Sequence, residues 1–481
     1  MSITGDTSFY TNKICLAPMV RAGRTPLRVL ALEYGADLVY TEEIIDQKLL
    51  SSKRTVNNVL DTIDYCMVDD VVLRISRARE QKSCVLQIGT NSGNNAAEVA
   101  KMVGTDVAAI DVNMGCPKPF SIHCGMGSAL LTKVDKIREI LTSLTSVAQV
   151  PVSCKIRVLD DPTETLNLVR EIEKCGVAAL GVHGRRRDER DPHPCRIDEI
   201  REVARTVSIP VIANGGSGEI KSYEDILDFR KETGTSSVMV ARQALSCPSV
   251  FRRDGTLPFD RDIENFLDLA CEFDENYTMT KYVVQRILGG KQESDERGRQ
   301  TVLAGSNLEI CRAWGREDKY EECRRTRLRK QCKRQEKTSI KIVYLRSFFP
   351  AIGLKQSIVA GQVTFSELRS AAIRFSDGFR PNMWPSVRWT AYAYFKRLFL
   401  NWVGFPALKY VEDDWKGMHG DALNDIIDVV NRGAKPLTQE EHASIQARTE
   451  DWAALNLALE ERRQARPGYV KKEEPVDSDD E

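Results

Sequence analysis

Eight short apolar runs, set at intervals through the first half of the chain, limit what it can fold into more than any other feature. They are ICLAP from Ile14, ADLVY from Ala36, CVLQIG from Cys84, VAAIDVN from Val107, PVSCKI from Pro151, VAALGVHG from Val177, IPVIANGG from Ile209 and SVMVARQA from Ser237. Runs this short and this uniformly apolar suit strands buried on both faces, as in a parallel sheet covered by helices. The segments between them read as helices. Thr25 followed by Pro26 gives a cap and a pre-set first position; Leu27, Leu30, Ala31 and Tyr34 share one face, and Gly35 ends the turn. Farther on, Thr132 can cap a helix with Asp135 in its first turn and Ile137, Ile140, Leu141, Leu144 and Val147 as its stripe. Eight strand-helix units within about 260 residues have the size and rhythm of an α/β fold of the (β/α)8 TIM barrel type. Periodicity alone leaves a doubly wound sheet open.

At 481 residues the chain is too long for one ordinary domain, and 42% hydrophobic content is enough for at least one large core. The barrel is assigned to residues 1–261. Over residues 262–337 strand signals vanish and helix formers dominate, which predicts a small all-α helical domain. Its end is basic: Arg324, Arg325, Arg327, Arg329, Lys330, Lys333, Arg334 and Lys337 are opposed only by Glu336. A solvated helix end, an RNA-phosphate patch and a nuclear-import signal all fit that run. Residues 338–466 form an aromatic-rich C-terminal extension of unknown fold, in which Trp389, Tyr392, Phe395, Phe399 and Trp402 recur at helical spacing. Such a stripe is more often core or a surface for a protein partner than a base-stacking or membrane-surface face. Residues 467–481 are a charged tail expected to be disordered.

Lys plus Arg equal Asp plus Glu at 69 each, so a nucleic-acid site has to be a local patch rather than a global field. The thirteen cysteines are scattered, odd in number and without CxxC pairs, which argues for a reducing compartment. The start, MSITGDTSFYTNK, lacks the apolar stretch of a signal peptide, and no run approaches the roughly 20 apolar residues of a membrane span. A soluble cytoplasmic protein is expected, with a nuclear location left open by the basic run. The histidines at positions 123, 183, 193, 419 and 442 form no metal-spaced ligand pair with cysteines except the isolated His193 and Cys195, so no metal is expected.

In a barrel the reactive groups stand at the C-terminal ends of the strands. There the sequence has Pro18 and Met19, Glu42 and Glu43, Gln87, Asn113 with Cys116, Lys155, His183, Asn214 with Gly215 and Gly216, and Ala241 with Arg242. Singly, a Gln87 or a Lys155 is more often a structural hydrogen bonder. Jointly, a lysine, an amide, a histidine and two turns near glycine match what a flavin needs: partners for the ring edge, a cation near N1 and O2, and backbone N–H groups for the phosphate.

The most specific stretch is DVNMGCPKPFSIHCGMGSALL, from Asp111 to Leu131. It resembles the signature of the tRNA-dihydrouridine synthases, an N-x-G-C-P motif followed by a glycine-rich loop leading to A-L-L; here these are Asn113, Gly115, Cys116 and Pro117, then Gly125, Gly127, Ala129, Leu130 and Leu131. CLAPMVRAGRTPLRVLALEYGADLVYTEE from Cys15, VHGR from Val182 and IANGG from Ile212 resemble the same family, and the similarity covers about residues 13 to 335. Within it the chain looks most similar to the eukaryotic class acting on uridine 20 of the D-loop. The resemblance implies FMN as cofactor, NADPH as reductant and tRNA as substrate. Uracil C6 would receive hydride from flavin N5, and Cys116 would protonate C5 from the opposite face. A thiol of pKa about 8.5 is still mostly protonated at neutral pH, where a carboxylate is already ionised. By the same resemblance Pro18, Met19, Val20, Gln87, Lys155, His183, Asn214, Gly215, Gly216, Ala241 and Arg242 would bind FMN. Glu42 or Glu43 would contact flavin or substrate, and Arg185, Arg186 and Arg187 would reach the FMN phosphate, the tRNA backbone or solvent. Cys124 has no expected role.

The extruded uridine needs a grip on tRNA phosphates well beyond the pocket, for which the helical domain and its basic end are the candidates. Animal members of the uridine-20 class usually add a double-stranded-RNA-binding domain, whose pattern is absent after Thr338. Two other readings remain: an FMN barrel reducing a small molecule, and an RNA-binding protein with an inactive barrel, which would be colourless when purified.

Overall fold

The computed structural model describes residues 7–339 except 68–69, 190–192 and 217, with side chains described as far as Lys330. The aromatic-rich stripe, the charged tail and the side chains of Lys333, Arg334 and Lys337 lie outside the described residues. The eight runs become strands β1 (Ile14–Leu16), β2 (Leu38–Tyr40), β3 (Cys84–Gly89), β4 (Ala109–Met114), β5 (Val152–Arg157), β6 (Ala179–His183), β7 (Val211–Asn214) and β8 (Ser237–Val240). Each pairs in parallel with the next, and β8 returns to β1, with Val238 beside Ile14. The sheet is thus a closed barrel rather than doubly wound.

The helices around it follow local signals. Asp161 accepts from the Thr163 N–H at 2.7 Å ahead of Pro162–Lys174, and Ser222 with Asp225 makes a reciprocal capping box on Tyr223–Thr233. Two expected caps are absent. Thr25 lies inside the helix Thr25–Glu33, whose N-cap is Arg24, and its hydroxyl donates to the Arg74 carbonyl at 2.9 Å instead. Thr132 is displaced by Lys133 as the N-cap of Val134–Val147, with no side-chain bond. In both cases the stripe decided the helix without its cap: Ile137, Ile140, Leu141 and Leu144 are buried, and Val147 packs at the edge of the core.

Strand periodicity sorts the barrel into two cores. Leu86 and Ile110 point out into the helix layer, while their neighbours Val85 and Ala109 join Tyr10, Cys15, Tyr40, Ala179, Ile212 and Met239 as an apolar plug inside. Two residues up, the same inward face turns polar with Gln87 and Asp111, then Asn113. Register carries this layer around the barrel: Asp111 pairs with Ser153, Asn113 with Lys155, and His183 with Asn214.

Two elements escaped sequence reasoning. An antiparallel sheet of Lys53–Asn57, Thr62–Cys66 and Val71–Ser76 follows the second barrel strand, with Asp64 in register opposite Arg74 and bonded to it twice at 2.9 Å. A two-residue strand, Ile44–Ile45, pairs with the end of β3 and keeps residues 41–43, which follow β2, at the C-terminal end of the barrel. After β8, the described residues from Phe259 onward are helical, beginning with Phe259–Glu272 and Tyr277–Leu288 and ending with Glu317–Ser339. This part is pinned to the barrel by Arg24–Glu275 at 2.9 Å and by Arg74 donating to the Phe273 carbonyl at 2.6 Å. Among the described residues no helix is long and apolar enough to cross a membrane.

Candidate active site

The chain turns sharply after β4 because the Asn113 side chain accepts from the Gly115 and Cys116 N–H groups at 3.0 and 2.9 Å. The Cys116 carbonyl then accepts from Ser128 at 2.9 Å, which folds the loop 117–127 back onto the turn. Cys116 is half-buried at the mouth. Burial, and next the carboxyl of Glu43, push its thiol up to about 11, so it holds its proton through the neutral range.

Below it runs a chain of buried hydrogen bonds. The Tyr10 hydroxyl donates to Ser153 at 3.0 Å, Ser153 to Asp111 at 2.7 Å, Gln87 Nε2 to Asp111 at 2.8 Å, and Asn113 Nδ2 to Gln87 Oε1 at 3.1 Å. The Gln87 amide is thereby fixed in orientation, and its link to Asn113 couples the barrel floor to the cysteine turn. Burial raises the Asp111 carboxyl to about 6. Asp111, Ser153 and Tyr10 were not foreseen; their inward spacing from Gln87 and Lys155 on short strands was the available signal.

On the far side of the mouth the charge is positive. His183 is held well below its ordinary pKa by burial and then by Lys155, Arg157, Arg185 and Arg242, so it stands neutral among four cations. Burial, followed by Arg157, lowers Lys155 to about 8. Asn214 donates to the Met239 carbonyl at 2.9 Å, and Gly215 after it takes φ 123°, where an added Cβ would lie 2.7 Å from Cys195 Sγ and 3.1 Å from the His183 ring. Pro18, Met19 and half-exposed Val20 follow β1, and Ala241 with Arg242 follows β8, at this same end. Clustered cations around a neutral imidazole, beside close-packed backbone, suit a phosphorylated, electron-accepting ring such as FMN.

The ambiguous arginines separate. Arg185 is buried and donates to the Gly215 carbonyl at 2.9 Å, which puts it with the cation cluster. Arg186 is paired with Glu199 at 3.1 Å, and Arg187 is exposed. Arg157, which sequence reasoning passed over, joins Lys155 on β5 two residues farther along the strand. In the basic run, Arg324, Arg325, Arg329 and Lys330 are exposed, but Arg327 pairs with Asp274 at 2.9 Å and is mostly buried.

The sequence profile of the dihydrouridine synthase family matches residues 15–297. A tRNA-dihydrouridine(20) synthase, NAD(P)+, of Schizosaccharomyces pombe is 40% identical over 300 residues, covering 60% of this chain and 62% of that protein. The Saccharomyces cerevisiae protein of the same name is 36% identical over 303 residues, 59% of this chain and 78% of its own. A human tRNA-dihydrouridine(20a/20b) synthase-like protein is 30% identical over 270 residues, 55% of this chain and 78% of its own. The chain therefore spans less than two thirds of the fission-yeast relative.

Proposed function

The chain belongs to the dihydrouridine synthase family, and from that premise we propose that it binds FMN at the C-terminal mouth of the barrel and, with NADPH as reductant, reduces the C5–C6 double bond of a uridine in tRNA. The relatives' names favour uridine 20. The observation that carries the reading is the half-buried Cys116, whose thiol burial pushes up, in one mouth with Lys155, Arg157, Arg185 and Arg242 around His183. A proton donor and an electropositive anion site are what reductive protonation of an electron-poor double bond requires.

FMN, once bound and reduced, would supply the hydride to uracil C6. Pro18, Met19, Val20, Gln87, Lys155, His183, Asn214, Gly215, Gly216, Ala241 and Arg242 would hold it, with Arg185 added to that set by its bond to Gly215. Lys155 offers a cation to negative charge building on the ring's pyrimidine side, and neutral His183 offers a hydrogen bond without adding charge. Cys116 Sγ gives its proton to uracil C5. The substrate has to be extruded from tRNA to reach the mouth, and the exposed Arg324, Arg325, Arg329 and Lys330 offer phosphate contacts for that grip.

The test is nucleoside mass spectrometry of unmodified tRNA incubated with the full chain and NADPH. Dihydrouridine should accumulate. No product from protein that carries FMN would move the reading to a small-molecule flavin reductase.

A further inference from the structure

Glu42 and Glu43 are neighbours in the segment that follows β2 at the C-terminal end of the barrel, but among the described residues only Glu42 is paired with a cation. Glu42 accepts from the Arg21 N–H at 2.9 Å and from Arg24 Nη1 at 3.2 Å, which ties down the loop after β1. Glu43 turns the other way, toward the cysteine loop. Its Oε1 accepts from the Ser121 hydroxyl at 3.4 Å, Ser121 stands beside the cysteine, since a Cβ on Gly127 would meet both Ser121 Oγ and Cys116 Cβ at 2.4 and 3.1 Å, and Glu43 Oε2 is buried with no hydrogen-bond partner. The end of β3 leaves room for it: a Cβ on Gly89 would stand 2.6 Å from Oε1. No cation pairs with Glu43 among the described residues. A carboxyl enclosed in this way, with one oxygen unspent, costs free energy that packing does not return.

The surrounding charge gives it a purpose. Lys155 and Arg157 of β5 reach the same mouth, Arg157 bonds the Gly115 carbonyl next to the cysteine, and the loop itself carries Lys118 and His123. A mouth built from cations to take an anionic cofactor favours a thiolate, which is useless as a proton donor. Glu43 is the acid whose charge bears on Cys116, with Ser121 beside both. We propose that Glu43 is a positioning residue for the proton donor: it aims the Cys116 side chain and, by its negative charge, keeps that side chain a thiol inside a cationic site. The inference rests on the reading of Cys116 as donor. Burial raises the carboxyl of Glu43 itself, and burial with Glu43 raises the thiol, in keeping with two like-charged forms sharing one enclosure.

The test follows alkylation of Cys116 by iodoacetamide across pH, by peptide mass spectrometry, on the FMN-loaded full chain. It needs no tRNA. Glu43→Gln, which keeps the shape and removes the charge, should lower the alkylation midpoint by about one pH unit and speed reaction at pH 8 several-fold. Glu43→Asp, with the charge kept at shorter reach, should fall between. Gly89→Ala, which presses on the carboxyl from β3, should move in the direction of Glu43→Gln and serves if that variant folds poorly. The alkaline limb of dihydrouridine formation should move down with the midpoint. A purely structural Glu43 would leave the alkylation midpoint in place in Glu43→Gln, and that result overturns the proposal even if dihydrouridine is made. A shifted midpoint without any dihydrouridine would leave the thiol account standing and remove the functional one.

Discussion

Arg157 fastens the turn that carries Cys116 to the end of β5: its Nε donates to the Gly115 carbonyl at 2.9 Å while its Nη1 donates to the Arg186 carbonyl at 2.8 Å. One buried guanidinium thus holds two active-site loops by their main chains. A hydrogen bond from a charged donor contributes about 1.5–3 kcal/mol. Arg157→Met, which keeps the aliphatic stem, is expected to lose about that much stability in urea unfolding and to make dihydrouridine about tenfold more slowly or worse, because the donor turn is no longer held. Wild-type rates in that variant would mean the turn is set by Asn113 alone.

Gly127 occupies the left-handed region at φ 57°, and a Cβ there would lie 2.4 Å from Ser121 Oγ and 2.6 Å from the Cys116 carbonyl oxygen. Gly127→Ala should cost about 1–2 kcal/mol from the backbone alone. The more telling outcome is local: FMN content should persist while turnover falls, since the clash is with the cysteine loop and not with the cation cluster. Fluorescence of released flavin and initial rates on one preparation separate the two.

Lys155, lowered to about 8, ties cofactor affinity to pH. Its ammonium is present below that pH and is lost above it, so an anionic ligand is held best under neutral and acidic conditions. The FMN dissociation constant of flavin-stripped protein should therefore rise above pH 8, by at most about tenfold per unit. Lys155→Met should bind more weakly throughout and lose this alkaline dependence. Equilibrium titration by flavin fluorescence checks both.

The pKa of Asp111 is shifted the other way, upward, because burial disfavours its charged form. Its carboxyl rises from its ordinary 3.8 to about 6 in the fold, so between those values the folded chain holds a proton that the unfolded chain has released. Stability from this group is complete below the lower value and is lost as pH rises through about 6, a change on the order of 3 kcal/mol. Asp111→Asn removes the titration. The unfolding free energy of wild type minus that of the variant should fall between pH 4 and pH 7.

Much of this architecture was legible in the sequence, for physical reasons that also explain the gaps. Strands buried on both faces have nowhere to put polar residues, so the eight runs stood out, and the polar residues that end them had to face the mouth. Lys155, His183 and Cys116 were placed at or just beyond strand ends in that way, where the structure has them. Lys53–Ser76 was missed because its first strand, Lys53–Asn57, is largely exposed and its two buried strands carry polar residues in pairs such as Asp64–Arg74, which reads as loop. Asp111 was passed over because an acid inside an apolar strand has no visible reason until Ser153 and Gln87 meet it from neighbouring strands. Glu42 and Glu43 were indistinguishable by composition, and only the structure around the short strand Ile44–Ile45 turns one toward Arg24 and the other toward Ser121 of the cysteine loop.

The central claim is that Cys116 is the proton donor of a flavin-dependent tRNA reduction, and one comparison tests it most directly. Unmodified tRNA is incubated with NADPH and either the wild-type chain or Cys116→Ala, matched for FMN content, and dihydrouridine is counted by nucleoside mass spectrometry. The account predicts product with wild type and at least about a hundredfold less with Cys116→Ala, the scale of a lost general acid. Equal product from the two FMN-loaded proteins would contradict it.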